Sequence, residues 1–514
     1  MKLILLFALL FAATFAGNWR GWYSHTENAW RMAHSWNGKD YHGEGWHTDA
    51  PRELAEEHIP RGTPIYLLIY SDKGELKSVE RAAHITLSWA RSPDKISFGD
   101  ISGIKEEDAV IAYKYYSRKL PDKFVKTTVC DGSALWMHSD RIIDRNEDNP
   151  VPINKHTPPS KWREALGVIC VCAITALFVR KARTQDAPPA RRSVYIIAIA
   201  AVFFIFAAAL TLSHTFFTPN GLGVYGGKAK LFYLCGGIPD GFFTAPEFST
   251  YQPAYPPGLA LLTLVSYLIS GGCGEWLTQL IPVFASAVAL WTLCHGAGSV
   301  WVALWILAAF LSRQNMQMTT LYYAEPFMAL LVIIGWERIR KNDGDWRGWL
   351  LIGAAGLFKN EGLVILCAVW AAWVAVGRAG WRFAIAVAPS LLWHIACRFA
   401  GATLYDYAPA FEPDRARFFT ATAHLLKIAF LEPWRYGFAF PLALVALFFK
   451  RTRSNRTFVV ATLAAMLCLI AFAFVFSLSR APDFKWHLDS SATRLLWVPA
   501  LLLISEIRRC RPAD

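Results

Sequence analysis

The sequence predicts an α-helical polytopic membrane protein of about 11 to 13 transmembrane helices, preceded by a small extracytoplasmic α/β domain. Of the 514 residues, 54% are hydrophobic and 18% are charged, so the chain carries too little charge for a soluble protein of this length. Apolar runs recur from residue 165 to residue 507, each near the length that crosses about 30 Å of hydrocarbon. The 22 Trp and 18 Tyr residues supply rings that favour the headgroup level of a membrane.

Residues 1–17 are predicted to be a signal peptide or a signal anchor. One Lys precedes an apolar run over residues 3–15, and small residues follow. Either form directs the next segment across the membrane, so residues 18–161 are predicted to be an extracytoplasmic soluble α/β domain. Alternating and apolar patterns predict its strands at 64–70, 95–98 and 109–113 and its helix at 79–90.

A transmembrane helix and a basic linker occupy residues 162–192, and residues 193–514 form the main transmembrane domain. Residues 180–192 contain five basic residues and one acid, which predicts a cytoplasmic linker by the positive-inside rule. The soluble domain and a long loop at 214–256 are therefore predicted to lie outside. The predicted apolar spans are 165–179, 194–213, 257–271, 276–295, 299–312, 320–336, 347–358, 361–377, 381–397, 434–449, 457–478 and 492–507.

The predicted spans do not place every loop on a consistent side of the membrane. One run between residues 257 and 336 is therefore predicted to be re-entrant or broken. The net charge of +13 is spread over short linkers between apolar runs, so it indicates contact with membrane lipids and not nucleic-acid binding. No metal site is predicted, because the early histidines match no ligand spacing. These are His25, His34, His42 and His47.

Polar residues inside the apolar part mark candidate functional positions. The loop 214–256 contains the acids Asp240 and Glu247 and ends at Tyr255, before two prolines. A solvated loop is the simpler interpretation of this segment. Glu325 precedes a proline at the start of an apolar run, where it either complements the helix dipole or faces a polar cavity.

Two further clusters contain basic residues. Lys359 and Glu361 stand between two apolar runs, where they either neutralise each other or bind a lipid phosphate through the lysine. His487 and Arg494 lead into the last apolar run. The arginine either extends to the headgroups or takes a phosphate as its counter-charge.

Taken in order, these clusters resemble the GT-C glycosyltransferases, and more narrowly their protein mannosyltransferase and aminoarabinose transferase branch. The resemblance covers about residues 193–507 and leaves the soluble domain outside. The matching motifs are Tyr255-Pro256-Pro257, Tyr323-Ala324-Glu325-Pro326, Gly356-Leu357-Phe358-Lys359-Asn360-Glu361-Gly362 and the segment from His487 through Arg494 to Pro499.

The resemblance implies an integral membrane glycosyltransferase of the hexosyltransferase type. It would transfer a sugar from a polyprenyl-phosphate donor to a glycan, lipid or protein acceptor, on the extracytoplasmic face of the inner (cell) membrane. Whether a divalent metal takes part stays open. The residues that would bind the donor phosphate or substrate are Lys359, Glu361, His487, Arg494 and Tyr255.

The catalytic acid departs from the family pattern. The first external loop of the family supplies an Asp as general base, but the best alignment places Asn220 there, and an amide cannot accept the proton. Asp240 and Glu325 are the leading replacements, ahead of Glu247. The alternative is a catalytically inactive GT-C-like scaffold or lipid-binding membrane protein, which Asn220 favours. A transporter is disfavoured because no internal repeat is present.

Overall fold

The protein is described here from a computed structural model. The described residues are 9, 10, 12–14, 65–68, 96–99, 109–112, 124–130, 133–138, 159–182, 190–212, 220–245, 248, 251–274, 276–377, 381–402, 413–479 and 484–509. The early histidines, Glu247 and the predicted helix at 79–90 lie outside them. Of the predicted signal segment, residues 9, 10 and 12–14 are helical, and Leu10 packs on the main core.

Five strands between residues 65 and 138 form one mixed sheet in the order β2-β1-β3-β5-β4. β1 pairs in parallel with β2 and β3, whereas β5 pairs antiparallel with β3 and β4. The first three strands overlap the predicted ones, but the α/β domain as a unit stays a prediction because its helix is not among the described residues. The strands are β1 Ile65–Leu68, β2 Ile96–Gly99, β3 Ala109–Ala112, β4 Phe124–Cys130 and β5 Ser133–His138.

From residue 161 onward the described chain is almost entirely helical, and each predicted apolar run contains a helix. The helices are α1 Lys161–Ala182, α2 Ala190–Leu212, α3 Gly226–Leu234, α4 Gly258–Ser270, α5 Leu280–His295, α6 Val300–Phe310, α7 Arg313–Thr320, α8 Glu325–Lys341, α9 Trp346–Ala354, α10 Glu361–Ala375, α11 Arg382–Phe399, α12 Arg415–Leu426, α13 Ala439–Ala446, α14 Lys450–Arg453, α15 Arg456–Ser477, α16 Phe484–Leu495 and α17 Trp497–Ile507.

Five stretches of the described residues are long and apolar enough to cross a membrane, or six if α7 and α8 count as one bent span. The protein is therefore an α-helical protein with the features of a multi-pass membrane protein. The predicted 11 to 13 spans are not reached, because many apolar runs form helices too short to cross alone. The five stretches are Lys161–Lys181, Val194–Leu212, Leu277–His295, Arg456–Ser477 and His487–Ile507.

The predicted break between residues 257 and 336 is present where α7 meets α8. The two helices are bent by 109° across a short connection. Within it, Tyr322 has a positive φ of 59°, which is rare for a residue with a side chain. Its hydroxyl hydrogen-bonds to Thr263 of α4, so a neighbouring helix holds the turn in place. The bend starts α8 inside the protein.

Contacts between helix termini define two ends of the helical body. At the Glu164 end, Glu164 near the start of α1 accepts the backbone N–H of Thr278 before α5, and Trp276 donates to the carbonyl of Leu212 at the end of α2. At the Arg508 end, Arg508 after α17 donates to the carbonyl of Thr292 near the end of α5, at 3.1 Å. The helix α5 thus runs from one end to the other.

The long loop predicted at 214–256 is partly folded into this body. Its residues Asn220–Tyr225 form a π-helical turn, and α3 follows directly with most of its residues buried. The helix α4 then runs against α1 so closely that a Cβ on Gly167 would lie 2.5 Å from the carbonyl oxygen of Ser266. A solvated loop is therefore the wrong interpretation for residues 223–229, which are all buried.

Candidate functional site

A buried carboxylate, Glu325, forms the centre of the candidate site. It begins α8 and is followed by Pro326, which suits the first turn of a helix because it has no N–H to leave unbonded. The Nζ of Lys359 donates to Glu325 Oε1 at 2.8 Å, and the guanidinium of Arg494 donates to the same oxygen at 3.2 Å. Three separate parts of the sequence therefore meet at one atom.

The lysine is held by a tightly packed turn between α9 and α10. A Cβ on Gly362 would lie 2.4 Å from the carbonyl carbon of Ala355, so only glycine allows the chain to close this turn. A Cβ on Gly258 would lie 2.7 Å from the carbonyl oxygen of Leu357. The start of α4 thus contacts the same turn, which brings the end of the long loop beside Lys359.

A second acid completes the ionic group. Glu361 Oε1 lies 3.2 Å from the Nζ of Lys359, and its side chain is 18% exposed. The group contains two cations and two carboxylates, so its formal charge is zero. Among the described residues, two buried oxygens of this group, Glu325 Oε2 and Glu361 Oε2, have no hydrogen-bond partner, and neither does Oδ1 of Asn360, which lies between Lys359 and Glu361 in the sequence. Buried acceptors without donors are costly, so these oxygens mark a place where a donor is needed.

Aromatic rings line the group on the side of the long loop. The guanidinium of Arg494 stacks on Tyr323, 4.8 Å from the ring centroid, which is a favourable cation–π distance. The rings of Tyr225 and Tyr255 lie 6.1 Å apart, edge to face. Burial raises the pKa of the Tyr255 phenol, and the charges of Tyr225 and Glu361 raise it further. Tyr255 is therefore a protonated hydrogen-bond donor beside the cluster.

A third basic residue, Lys228, lies next to Tyr255. It is buried, and its Nζ donates to the backbone carbonyl oxygens of Gln252 and Tyr255, both at 3.1 Å. Burial lowers the pKa of the Lys228 amine to about 7. Lys228 was not predicted to be a site residue. The signal that could have found it is a basic residue between small and apolar neighbours in Gly-Gly-Lys-Ala-Lys.

Four of the predicted site residues lie together, and the others lie outside their ion pairs. Glu325, Lys359, Glu361 and Arg494 come together, and Tyr255 lies close enough to sense their charges. His487 lies two turns before Arg494 on α16, with its ring 5.5 Å from Phe476.

Asp240 is exposed in the turn that follows α3. Among the described residues, no ion pair joins it to Glu325, Lys359 or Arg494. Asn220 begins the π-helical turn before α3, so the position where the family has its Asp leads into the buried part of the loop.

A second ionic cluster lies at the Arg508 end and was missed as a cluster by the sequence analysis. Glu337 binds Arg508 and Arg509, the latter at 2.6 Å. Glu506 accepts hydrogen bonds from the Trp336 indole and the Thr457 hydroxyl, both at 2.9 Å. The signal was the pair of acids within apolar helices. Twelve residues of α8 separate Glu325 from Glu337, which is about 18 Å along a helix.

Within the described residues, no group of three or more His, Cys, Asp and Glu side chains is arranged to hold a metal ion. The chain matches no protein-family model, and no curated protein and no solved structure is similar to it.

Proposed function

We propose that this protein is a membrane glycosyltransferase that uses a polyprenyl-phosphate-linked sugar as its donor and works on the extracytoplasmic face of the membrane. The observation that carries the proposal is the meeting of Lys359 and Arg494 on Glu325. The phosphate hypothesis requires both cations to face one place, and they lie at one oxygen atom.

In this proposal Lys359 and Arg494 bind the phosphate of the carrier. An arginine provides several donors in a fixed plane and a lysine adds a compact charge, a combination that suits a phosphate. Arg494 is held for this role by bonds to the Ser490 carbonyl at 3.0 Å and the Ser491 hydroxyl at 3.2 Å. Tyr255 would donate from the loop side, and His487 would border the path of the ligand along α16.

We assign the general base to Glu325 and not to Asp240. A base must lie within hydrogen-bond reach of the proton that it removes, beside the atom that leaves. Glu325 already contacts both proposed phosphate ligands, whereas Asp240 is exposed and has no ion pair with either. The proton would be accepted by Oε2, the oxygen of Glu325 that has no hydrogen-bond partner.

The side of the membrane is part of the proposal. The Arg508 end collects Arg338, Arg340, Arg508 and Arg509, the arrangement expected for cytoplasmic ends under the positive-inside rule. Glu325 lies about 18 Å along α8 from that end. The candidate site is then nearer the extracytoplasmic side, where the long loop approaches it.

A non-catalytic scaffold or lipid-binding protein is the second candidate. The observation in its favour is the charge balance of the cluster, in which two cations are already neutralised by Glu325 and Glu361. Such a group could simply stabilise the contact between α8, α10 and α16. The two candidates differ in whether any sugar is transferred.

The first prediction tests transfer in membrane vesicles that contain the full chain, with a radiolabelled polyprenyl-phosphate sugar and a mixture of glycan, lipid and peptide acceptors. We expect Glu325→Gln and Lys359→Ala to lower the rate by about 100-fold or more, because they remove the base and a phosphate ligand. Lys427→Ala is the matched control, since this lysine is 59% exposed and pairs with Glu432 outside the site.

Loss of transfer in Asp240→Asn with retained transfer in Glu325→Gln would reverse the assignment of the base. Absence of transfer by the wild type to any acceptor would support the scaffold.

A further inference from the structure

We infer that Glu325 is an internal anion that occupies the place of the carrier phosphate, and that the arriving phosphate displaces it and so frees it to act as the base. This inference rests on the proposed function and concerns the order of events at the same site. It makes donor binding a precondition for removing the proton of the acceptor.

The contacts of Glu325 support the first part of the inference, that this carboxylate occupies the place of the carrier phosphate. Lys359 and Arg494 both donate to Glu325 Oε1, at 2.8 and 3.2 Å, and the Glu325 side chain is completely buried. A phosphate bound between these two cations would lie where Glu325 Oε1 now lies and would be attracted by the same two positive charges. Carboxylate and phosphate therefore compete for one pair of cations.

The charge balance supports the second part of the inference, that the arriving phosphate displaces Glu325. Lys359 and Arg494 supply two positive charges, and Glu325 and Glu361 supply two negative charges. A phosphodiester donor adds one further negative charge to this buried group, and an uncompensated buried charge is strongly unfavourable. With the donor bound, three anions share two cations, so Glu325 loses part of its pairing with Lys359 and Arg494. A carboxylate beside two cations binds a proton poorly, and one that has lost them binds it readily.

The transfer step then balances. The acceptor hydroxyl gives its proton to Glu325 Oε2, and its oxygen forms the new bond to the anomeric carbon. The bond between that carbon and the phosphate oxygen breaks, and its electron pair stays on the leaving polyprenyl phosphate. Glu325 loses one negative charge as the phosphate gains one. The same two cations that held the carboxylate in the resting site now neutralise the leaving group.

The second prediction measures binding directly. Farnesyl phosphate is titrated by calorimetry into the detergent-solubilised full chain. We expect Glu325→Gln to bind this phosphate about tenfold more tightly than the wild type, because the amide keeps the shape but no longer competes for Lys359 and Arg494. Arg494→Gln is expected to bind more weakly, and Glu325→Gln should tighten binding less in the Arg494→Gln background than in the wild type, because only Lys359 is then released. Farnesol, which has no phosphate, should bind both proteins equally.

Glu432→Gln is the matched control, because Glu432 also lies between a lysine and an arginine, Lys427 and Arg435, but outside the site. Its affinity for farnesyl phosphate should equal that of the wild type. If Glu325→Gln does not fold, Glu325→Asp carries the test, since the shorter carboxylate reaches the cations less well and should also bind the phosphate more tightly.

Unchanged or weaker binding by the folded Glu325 variant overturns the inference, and so does absence of binding by both proteins. Sugar transfer by the wild type without tighter binding in the variant overturns the displacement alone. Tighter binding without transfer to any acceptor retains the displacement and overturns the transferase.

Discussion

Lys228 shows how much one buried side chain depends on its backbone partners. Its amine has only the carbonyl oxygens of Gln252 and Tyr255 as described hydrogen-bond partners, and no carboxylate forms an ion pair with it among the described residues. These bonds tie α3 to the segment that leads into α4. Because Tyr255 lies beside Glu325 and Arg494, the lysine helps to position the wall of the candidate site.

The third prediction concerns the pH dependence that this lysine creates. Its pKa is lowered to about 7 by burial, against 10.5 in the ordinary amine, so between these values the unfolded chain binds more protons than the folded one. The contribution of Lys228 to the free energy of unfolding should therefore rise with pH from about 7 to about 10, and stay at its lower level below pH 7. Thermal unfolding of Lys228→Met in detergent should lack this rise.

Lys230→Met is the control, because Lys230 is only partly buried and stands two residues further along the same helix. A variant at Lys228 that retains the full pH dependence would show that another group causes it.

At this scale the sequence singled out the four members of the ionic cluster, but as three separate candidates and not as one group. Glu325, Lys359, Glu361 and Arg494 interrupt apolar runs, and buried charge in such runs is expensive enough to require partners. Lys228 was missed because its partners are backbone carbonyls, which leave no trace in the residue types. The pairing of both cations with one oxygen was also beyond prediction, since it depends on how three distant segments pack.

Helices α9 and α11 pack through a glycine that permits close approach of two backbones. A Cβ on Gly353 would lie 1.8 Å from the carbonyl oxygen of Ala386, and the hydroxyl of Ser390 donates to the carbonyl of Gly353 at 3.0 Å. The contact sets the position of α9, and through it the turn that presents Lys359.

The fourth prediction is that Gly353→Ala destabilises the protein by about 1 to 3 kcal/mol, because the two backbones must move apart to admit the methyl group. Thermal unfolding in detergent measures the loss. Gly298→Ala is the matched control, since no atom lies within 4 Å of the added Cβ there. Equal melting temperatures for the two variants would contradict the close packing of α9 on α11.

The sequence predicted that each apolar run contains a helix, but among the described residues only five or six stretches are long and apolar enough to cross a membrane. Hydropathy rises equally for a span and for a short helix buried by its neighbours, as with α6, whose eleven residues are largely enclosed. The strands β4 and β5 were missed. Asp131 and Gly132 stand between them, a pair that favours tight hairpin turns and was the available signal.

On the scale of the whole molecule, two ionic clusters lie at different depths along α8. Glu325 begins α8 and Glu337 stands near its end, while Arg494 lies in the last turn of α16 and Arg508 follows α17. The ion pairs of Glu337 join the residues that follow α17 to the end of α8. Arg508 is almost completely buried there, with a side-chain exposure of 1%.

The fifth prediction is that Glu337→Gln lowers the free energy of unfolding by about 3 kcal/mol, because it leaves buried Arg508 without its carboxylate. Asp489→Asn is the control and should change it by less than about 1 kcal/mol, since Asp489 is 51% exposed and its histidine partner is 3.6 Å away. Thermal unfolding measures both. The binding of farnesyl phosphate to folded Glu337→Gln should match the wild type, because the two clusters share no residue.

Because the break between α7 and α8 fixes where α8 begins, the candidate site depends on the number of residues along α8 as well as on their chemistry. Four residues, 321–324, separate the end of α7 from Glu325. One residue inserted or deleted in α8 between the anchored break and Arg338 would rotate the two ends of that helix against each other by about 100°. Glu325 and Glu337 could then no longer face their arginines together, although every side chain of both clusters would still be present. The number of residues between Glu325 and Glu337 thus determines whether both ionic clusters can form, whatever the side chains in between.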